Sequence, residues 1–298
     1  MSDPIISDSQ SIANGIYLEG LAVDTVRGVV WYSDVIGGGI HRLQPNGDTV
    51  NFNDDRMWTG GVLMNDDGSA LSSGAGGIMW NNADSGESGW LLKQIEGSVL
   101  TGVNEMVPDG EGGIFFGSCD IEMVARGETP RATQIFRLTR DRTLIKVADD
   151  IGFSNGMMYD PGRRRFYCND TFRGTWVFDV QPDLSLANKR ILIEKEDADG
   201  MALDAEGNVW ITGFRSGHIV RVSPDGKELA PVQTPAEAIT QIRFGGADNC
   251  DIYINAVPID GGDNLKDGEI PTEARSCMFK ARSSVAGAVV PSASFDLA

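Results

Sequence analysis

Histidine is scarce in this chain of 298 residues, which has only two, His41 and His218. This scarcity argues against a serine–histidine–aspartate hydrolase. The sequence also lacks a Gly-x-Ser-x-Gly elbow, a His-Glu-x-x-His motif, a phosphate-binding glycine loop and a dinucleotide fingerprint. No Cys-x-x-Cys pair occurs among the four widely separated cysteines, Cys119, Cys168, Cys250 and Cys277. This pattern predicts reduced thiols in a cytoplasmic protein.

Basic residues are also few, with 25 Lys and Arg against 43 Asp and Glu, for a net charge of −18. Such a surface repels phosphates, which argues against nucleic acid and anionic membranes as partners. The sequence has no run of 18 apolar residues and no basic, apolar leader at its start, which predicts neither a membrane span nor a signal peptide. We therefore expect a small-molecule partner and a cytoplasmic location.

What the chain does contain is a repeated pattern, most complete in residues 198–212. An oxygen-bearing residue and a glycine precede a short apolar run, a tight turn and a second apolar run, which predicts two strands joined by a turn. Copies begin at residues 19, 60, 104, 155, 199 and 240, at intervals of 41, 44, 51, 44 and 41 residues. A period in the forties with several short strands per unit is typical of propeller blades. The sequence thus predicts an all-β fold, a single six-bladed β-propeller domain over residues 1–298.

Three segments fall outside the regular repeat. Closing the ring requires one chain end to pair into the last blade, and either residues 12–18 or residues 285–295 can supply that strand. Residues 120–133 are predicted to be an insertion within the third blade. Residues 260–269 interrupt the last blade, and because their acids do not match the spacing of an EF-hand, we predict a solvated loop there.

The first position of the repeat carries the candidate chemistry. If this position faces the axis, two carboxylates and two amides meet in the central channel, where they would repel one another without a cation. Hard oxygen ligands of this kind select calcium or magnesium. The alternative is that these residues belong to ordinary turn dipeptides, since Asp-Gly, Asn-Gly and Glu-Gly are common in turns. The six residues in this column are Glu19, Gly60, Asn104, Asn155, Asp199 and Thr240.

Four motifs in the chain resemble those of the senescence-marker-protein/gluconolactonase family, which includes regucalcin, bacterial gluconolactonases and luciferin-regenerating enzymes. They are Glu19-Gly20, the Asn104 segment, Ser154-Asn155-Gly156 and Asp199-Gly200-Met201. The resemblance extends over about residues 15–280 and implies a six-bladed propeller that holds one divalent ion in its channel. By that resemblance, Glu19, Asn155 and Asp199 match the metal ligands. Asn104 matches a residue that contacts substrate or metal-bound water, and Asp199 also matches the proposed general base.

The chain departs from the family pattern at one informative place. Where sugar lactonases of the family carry Arg-x-Asn-Asp, this chain has Gly102-Val103-Asn104-Glu105, so the arginine that would hold substrate hydroxyls is missing. Met57, Trp58 and Phe153 lie close to repeat starts and suggest a more apolar mouth, although each could equally pack in the core. A gluconate-like substrate is therefore not the expectation.

Together, the residues and the resemblance predict a metal-dependent hydrolase of a lactone or related ester. The divalent ion, Ca²⁺ or another such as Zn²⁺, Mg²⁺ or Mn²⁺, would polarise the carbonyl and activate water, with Asp199 taking the proton. One alternative is a metal-assisted lyase or isomerase on the same platform. Another is a calcium-binding or protein-binding propeller without catalysis. The sequence does not identify the substrate or the oligomeric state.

Overall fold

The computed structural model describes residues 5–95, 97–120, 123–124, 126–128 and 131–297. The regular elements formed by these residues are nearly all strands, and six four-stranded antiparallel sheets form the blades of a ring. The innermost strands contact one another in a closed cycle, from the first blade to the sixth and back to the first. The predicted all-β, six-bladed propeller is confirmed. Within the described residues, no helix is long and apolar enough to cross a membrane.

The strands follow the repeat in chain order. The first half contains β1 (Ile6–Gly15), β2 (Leu18–Asp24), β3 (Val29–Asp34), β4 (Ile40–Leu43), β5 (Thr49–Phe52), β6 (Thr59–Met64), β7 (Ala70–Gly74), β8 (Ile78–Asn81), β9 (Ser88–Leu92), β10 (Gln94–Ile95), β11 (Ser98–Val99), β12 (Val103–Pro108) and β13 (Ile114–Ser118). The second half contains β14 (Thr133–Leu138), β15 (Leu144–Ile151), β16 (Ser154–Asp160), β17 (Arg165–Asp170), β18 (Gly174–Val180), β19 (Leu186–Ile193), β20 (Ala198–Leu203), β21 (Val209–Gly213), β22 (Ser216–Val222), β23 (Glu228–Gln233), β24 (Ala238–Gly245), β25 (Asp251–Val257), the helix α1 (Gly261–Lys266) and β26 (Ser276–Ser283).

Blades 1 to 5 each consist of four consecutive strands, β2–β5, β6–β9, β12–β15, β16–β19 and β20–β23. The turn between the first two strands of a blade is formed by its acidic residue. In blade 5, Oδ1 of Asp204 accepts hydrogen bonds from the backbone N–H groups of Glu206 (3.1 Å) and Asn208 (2.8 Å). Gly207 supplies the positive φ of 85° that the turn requires. The Asp-x-x-Gly pattern therefore sets the hairpin between the first two strands of blade 5.

Blade 6 consists of β24, β25 and β26 with the N-terminal strand β1 on its outside. Of the two predicted ways to close the ring, the N-terminal segment is the one used, and its strand begins earlier than expected, at Ile6. The C-terminal segment instead lies at the channel end away from the strand starts. It bridges to Asp204 of blade 5 through Gly287 and to Asn65 of blade 2 through Ala293. Because blades 5 and 2 face each other in the ring, this segment crosses the channel.

The two interruptions of the repeat both lie near one mouth of the ring. The prediction of a solvated loop at residues 260–269 is wrong, because residues 261–266 form the helix α1 with Leu265 buried. The insertion at 120–133 falls between β13 and β14 as predicted, although residues 121–122, 125 and 129–130 lie outside the described residues. Val124 from the insertion and Leu265 from the helix line the same pocket. Because each segment contributes a side chain to this pocket, both lie at the mouth of the ring.

Between the blades, apolar side chains from facing sheets form the core. Phe115 of blade 3 lies 5.1 Å from Phe166 of blade 4, measured between ring centroids.

All four cysteines are free, and burial raises the thiol pKa of Cys119 and Cys168, as expected for packing residues. His41 stacks on Tyr32 with centroids 4.9 Å apart, and neither His41 nor His218 is among the described residues of the pocket.

Candidate functional site

The first position of the repeat is a β-bulge in every blade. The pairing between the innermost strand and the next one shifts across this position six times. In blade 5, for example, the shift falls between Ala198 and Met201, on either side of Asp199 and Gly200. A bulge interrupts the alternation of side chains and re-aims one of them. The repeated bulge therefore explains how one column of residues can face the channel.

The structure brings the predicted site residues together. Glu19, Asn104, Asn155 and Asp199 line a single pocket at the channel mouth, together with Gly60 from the same column. Thr240, the sixth member of the column, is buried and donates a hydrogen bond of 2.7 Å to the carbonyl oxygen of Leu18. That contact joins blade 6 to blade 1. Thr240 therefore holds the ring together and does not contribute to the pocket.

The glycines after the column residues are needed for contact between blades. Gly20, Gly156 and Gly200 lie within strands and have no positive φ, so the turn-dipeptide interpretation is wrong for them. A Cβ on Gly156 would lie 2.4 Å from the carbonyl oxygen of Asp199 in the next blade. A Cβ on Gly20 would lie 2.3 Å from the carbonyl oxygen of Gly60. Glycine at these positions allows the bulged strands to approach closely.

A second column of polar residues, which sequence reasoning missed, fixes these carbonyls. Opposite five of the six bulges, a side chain of the second strand donates to a column carbonyl of the following blade. Ser73 donates to Asn104 (2.7 Å), Asn169 donates to Asp199 (2.7 Å) and Asn255 donates to Glu19 (2.7 Å). The sequence does show this second column, because a polar residue recurs 13 to 15 positions after the column residue in five blades. The five residues of the second column are Ser33, Ser73, Asn169, Thr212 and Asn255.

The two amides of the pocket are oriented by hydrogen bonds. Nδ2 of Asn155 donates to Oγ1 of Thr171 (3.3 Å), which in turn donates to the carbonyl oxygen of Ala198 (2.8 Å). Nδ2 of Asn104 donates to the carbonyl oxygen of Ser154 (3.3 Å). With their N–H groups used in this way, the amides retain their oxygens for a ligand. Orientation of this kind suits oxygen donors of a cation site.

The two carboxylates of the pocket lie in an environment that disfavours two negative charges. Burial, together with the nearby charge of Glu105, raises the pKa of Glu19 from its ordinary 4.5 to about 8. Burial and the charge of Glu19 raise the pKa of Asp199 well above its ordinary range. Oδ1 of Asp199 is buried without a hydrogen-bond partner in the described residues. A cation at this point would satisfy that oxygen and restore both carboxylates to the charged form.

Below the pocket, the channel holds a polar cluster that sequence reasoning also missed. Oε2 of Glu105 accepts hydrogen bonds from Nε2 of Gln241 (2.6 Å) and from Arg243 (3.2 Å). Arg243 also donates to the carbonyl oxygen of Met201 (2.8 Å). Because its guanidinium is committed to these groups, Arg243 does not neutralise Glu19 and Asp199. The sequence could have indicated this cluster at the position directly after the column residue, which is glycine in four blades but Glu105 and Gln241 in the other two.

The walls above the oxygen cluster are apolar. Trp58 and Phe153 line the pocket, so the prediction of an apolar mouth holds for these two. Met57 does not line it, and 41% of its surface is exposed to solvent. Sequence reasoning missed Phe172 and Phe214, which lie outside the repeated motif. It also missed Tyr17, although Tyr17 lies two residues before its column residue, as Trp58 and Phe153 do. Tyr17 lines the same pocket as Glu19 and Asp199, and burial together with the charges of these carboxylates raises the pKa of its phenol.

Fold and site together define a six-bladed propeller with a cluster of oxygen donors at one mouth of its channel. The described residues contain no group of three Asp, Glu, His or Cys side chains arranged for a metal, since here two of the four donors are amides. Residues 18–257 match the family model described as the SMP-30/Gluconolactonase/LRE-like region. The chain belongs to this family, as the resemblance of its motifs predicted.

Individual relatives extend the comparison along most of the chain. The pentonolactonase XacC of Haloferax volcanii is 26% identical over 258 residues, covering 84% of this chain and 85% of the relative. The 6-deoxy-6-sulfogluconolactonase of Pseudomonas putida is 24% identical over 88% of this chain and 90% of its own. The structure of a calcium-binding protein, regucalcin, from Agrobacterium tumefaciens covers 95% of each chain with a TM-score of 0.76 at 18% identity. That last similarity supports the fold.

Proposed function

We propose that the protein hydrolyses a lactone or related ester in the pocket at the channel mouth. The observation that carries this proposal is the pair of buried carboxylates, Glu19 and Asp199, beside the two oriented amides of Asn104 and Asn155. Membership of the family supports it, as do the names of the two lactonases with which the chain aligns over most of its length.

We further propose that Glu19, Asn155 and Asp199 hold a divalent cation, with Ca²⁺ as the first candidate. The residues present fit such an ion, because the donors are hard oxygens and Oδ1 of Asp199 has no other partner in the described residues. The Agrobacterium tumefaciens protein of similar fold is itself a calcium-binding protein. When bound, a divalent ion supplies Lewis-acid polarisation of a carbonyl and lowers the pKa of water.

The chain's own residues would transfer the proton, orient the reactants and exclude bulk water. Asp199 would accept the proton of the attacking water at a carboxylate oxygen and pass it to the departing alcohol oxygen of the opened ring. Asn104, whose amide is held by the carbonyl oxygen of Ser154 (3.3 Å), would orient the water or the ester. The apolar walls would exclude bulk water and so strengthen the electrostatic interactions in the pocket.

The proposal is tested by measuring acid release from a panel of lactones, with and without a chelator. Calcium should raise the melting temperature, since a free concentration one hundred times the dissociation constant stabilises by about 2.7 kcal/mol. Glu19→Gln should lose this stabilisation and the activity, whereas Glu87→Gln, on an exposed loop, should lose neither. Hydrolysis that is equal in calcium and in excess chelator would refute the role of the cation.

The alternative functions are separated by the same measurements. A non-catalytic propeller would bind the metal without turning over any ester, and a lyase or isomerase would change its substrate without releasing a hydrolysed acid. No observation in the pocket favours either alternative. The single domain over residues 1–298, the cytoplasmic location and the absence of nucleic-acid and membrane partners stay predictions.

A further inference from the structure

The pocket separates a polar floor from apolar walls. The column residues Glu19, Asn104, Asn155 and Asp199 form the floor, at the channel. Above the floor, the pocket is walled mainly by large apolar side chains from five different blades or loops. These are Val35, Trp58, Phe153, Phe172, Phe214 and Leu265. Two charged side chains, Glu128 and Lys266, also line the pocket, and they pair with Arg126 (2.8 Å) and Asp267 (3.3 Å). The walls therefore offer mainly apolar surface.

The hydroxyl groups of the two pocket threonines already donate hydrogen bonds to backbone carbonyl oxygens. Oγ1 of Thr59 donates to the carbonyl oxygen of Arg56 (2.9 Å), and Oγ1 of Thr171 donates to that of Ala198 (2.8 Å). No arginine is found among the described residues that line the pocket. Along the apolar walls, a polyhydroxylated lactone would lose more hydrogen bonds to water than it could replace, and each such loss weakens binding.

Two of the wall aromatics have an unusual backbone conformation. Trp58 has a φ of 59° and Phe172 a φ of 77°, in the left-handed region that large side chains avoid. Backbone hydrogen bonds hold both in place. The backbone N–H of Trp58 donates to the carbonyl oxygen of Val35 (2.6 Å), and that of Phe172 donates to the carbonyl oxygen of Glu196 (2.9 Å). Strain of this kind persists where the surrounding structure enforces it, and it is concentrated at ligand-binding sites.

The aromatic side chains lie on opposite sides of the mouth. Trp58 immediately precedes blade 2, whereas Phe172 and Phe214 follow the second strands of blades 4 and 5. The rings of Phe172 and Phe214 meet edge to face, with centroids 6.1 Å apart. The guanidinium of Arg215 lies 4.8 Å from the ring of Phe214 and pairs with Asp263 of α1. Arg215 thus links Phe214 to α1. Blade 5, which carries Phe214, lies opposite blade 2, which Trp58 precedes.

We propose that the substrate is a lactone bearing an apolar substituent, aromatic or a medium-length alkyl chain, which binds between Trp58 and the Phe172–Phe214 pair. This inference rests on the proposed lactonase function and adds the substrate class. The ester group faces the oxygen cluster of the floor, and the substituent replaces water along the walls. A sugar lactone is the competing class, and the apolar side chains of the walls give its hydroxyls no hydrogen-bond partners.

The test compares lactones that differ in their substituent. In saturating calcium, γ-phenyl-γ-butyrolactone and γ-nonalactone should have kcat/KM values about tenfold or more above that of glucono-1,5-lactone. Equal or faster hydrolysis of glucono-1,5-lactone would overturn the substrate class while leaving the lactonase function intact. If none of the three is hydrolysed, the lactonase function fails, and the substrate class that depends on it fails too.

A substitution separates substrate binding from structural support. Phe172→Gly removes the ring and relieves the left-handed strain, so the melting temperature should stay equal or rise. Its kcat/KM should fall about tenfold or more for the phenyl lactone and by a clearly smaller factor for unsubstituted γ-butyrolactone, which has no substituent to contact the ring. Asn188→Gly is the matched control, because Asn188 has a φ of 52° on an exposed strand outside the pocket. Equal losses on both lactones would show that Phe172 only supports the fold, and would contradict the proposal.

A binding measurement gives a readout that does not depend on turnover. In calorimetry with the calcium-loaded protein, 4-phenylbutyrate should bind, and Phe172→Gly should weaken its binding. Gluconate at the same concentration should bind less tightly. Tighter binding of gluconate than of 4-phenylbutyrate would overturn the assignment of an apolar substituent, whatever the rates are.

Discussion

Nε2 of Gln241 donates a hydrogen bond of 2.6 Å to Oε2 of Glu105 across the axis of the channel. Gln241 comes from blade 6 and Glu105 from blade 3, which face each other in the ring. Both occupy the position after the oxygen column, where the other four blades have glycine. A Cβ on Gly61 would lie 2.0 Å from Oε1 of Glu105, and a Cβ on Gly200 would lie 2.4 Å from Oε1 of Gln241. The glycines leave the space in which the two long side chains meet.

The first prediction concerns that space. Gly61→Ala places a methyl group against Glu105 in a close-packed channel and should destabilise the protein by about 1–3 kcal/mol. Gly162→Ala is the control, since its nearest neighbour would be 3.3 Å away and its backbone has no positive φ. Urea denaturation of both variants measures the difference. Equal midpoints would show that the glycine at position 61 is not required by Glu105.

The second prediction concerns Arg243, which supplies the positive charge beside Glu105. Burial raises the pKa of Glu105, and the charge of Arg243 opposes this effect. Arg243→Met should therefore cost about 3–5 kcal/mol, because it leaves a buried carboxylate without its cation. The double variant Arg243→Met with Glu105→Gln should recover part of that loss. If the double variant is no more stable than Arg243→Met, the two side chains do not act as a charge pair.

The third prediction is the pH dependence of stability in chelator. The folded protein holds a proton on Glu19 up to about pH 8, whereas the unfolded chain releases it near 4.5. The folded state therefore binds more protons within this window, and the free energy of unfolding should fall as the pH rises from about 4.5 to about 8. Calcium should reduce the fall, because it stabilises the charged carboxylate.

Glu19→Gln provides the control for the pH experiment, because it carries no titrating proton at this position. Its free energy of unfolding should decline less steeply over the same window than that of the unmodified protein. Thermal melts in chelator at half-unit steps of pH measure both curves. Parallel curves for the two proteins would mean that Glu19 does not titrate in this window.

The fourth prediction separates Asp199 from Asn104. Asp199→Asn removes the proposed base and one charge of the cation site, so turnover should fall by about 10²–10⁴-fold and metal binding should weaken. Asn104→Ala should reduce turnover while retaining most of the metal affinity. Single-turnover rates and calorimetric metal titrations on both variants provide the comparison. Near-normal turnover of Asp199→Asn at saturating metal would refute its role as the base.

The sequence by itself determined the repeat, the number of blades and the residues at the oxygen column. These follow from local features, since each blade forms its own hairpins from apolar runs and Asp-x-x-Gly turns such as Asp204–Gly207. The column was recognisable because every blade repeats the same bulge. Trp58 and Phe153 were expected at the mouth because they lie next to repeat starts.

Only the tertiary structure decided the contacts between distant blades. The Glu105–Gln241 hydrogen bond joins residues 136 positions apart, and it exists because the ring places blade 3 opposite blade 6. Closure by β1 was not readable, because two chain ends offered comparable strands and only their packing selects one. Helix α1, Phe172 and Phe214 lie outside the repeated motif, so no periodicity pointed to them. The mouth of the pocket, and with it the choice of substrate, therefore depends on how the closed ring brings irregular segments together.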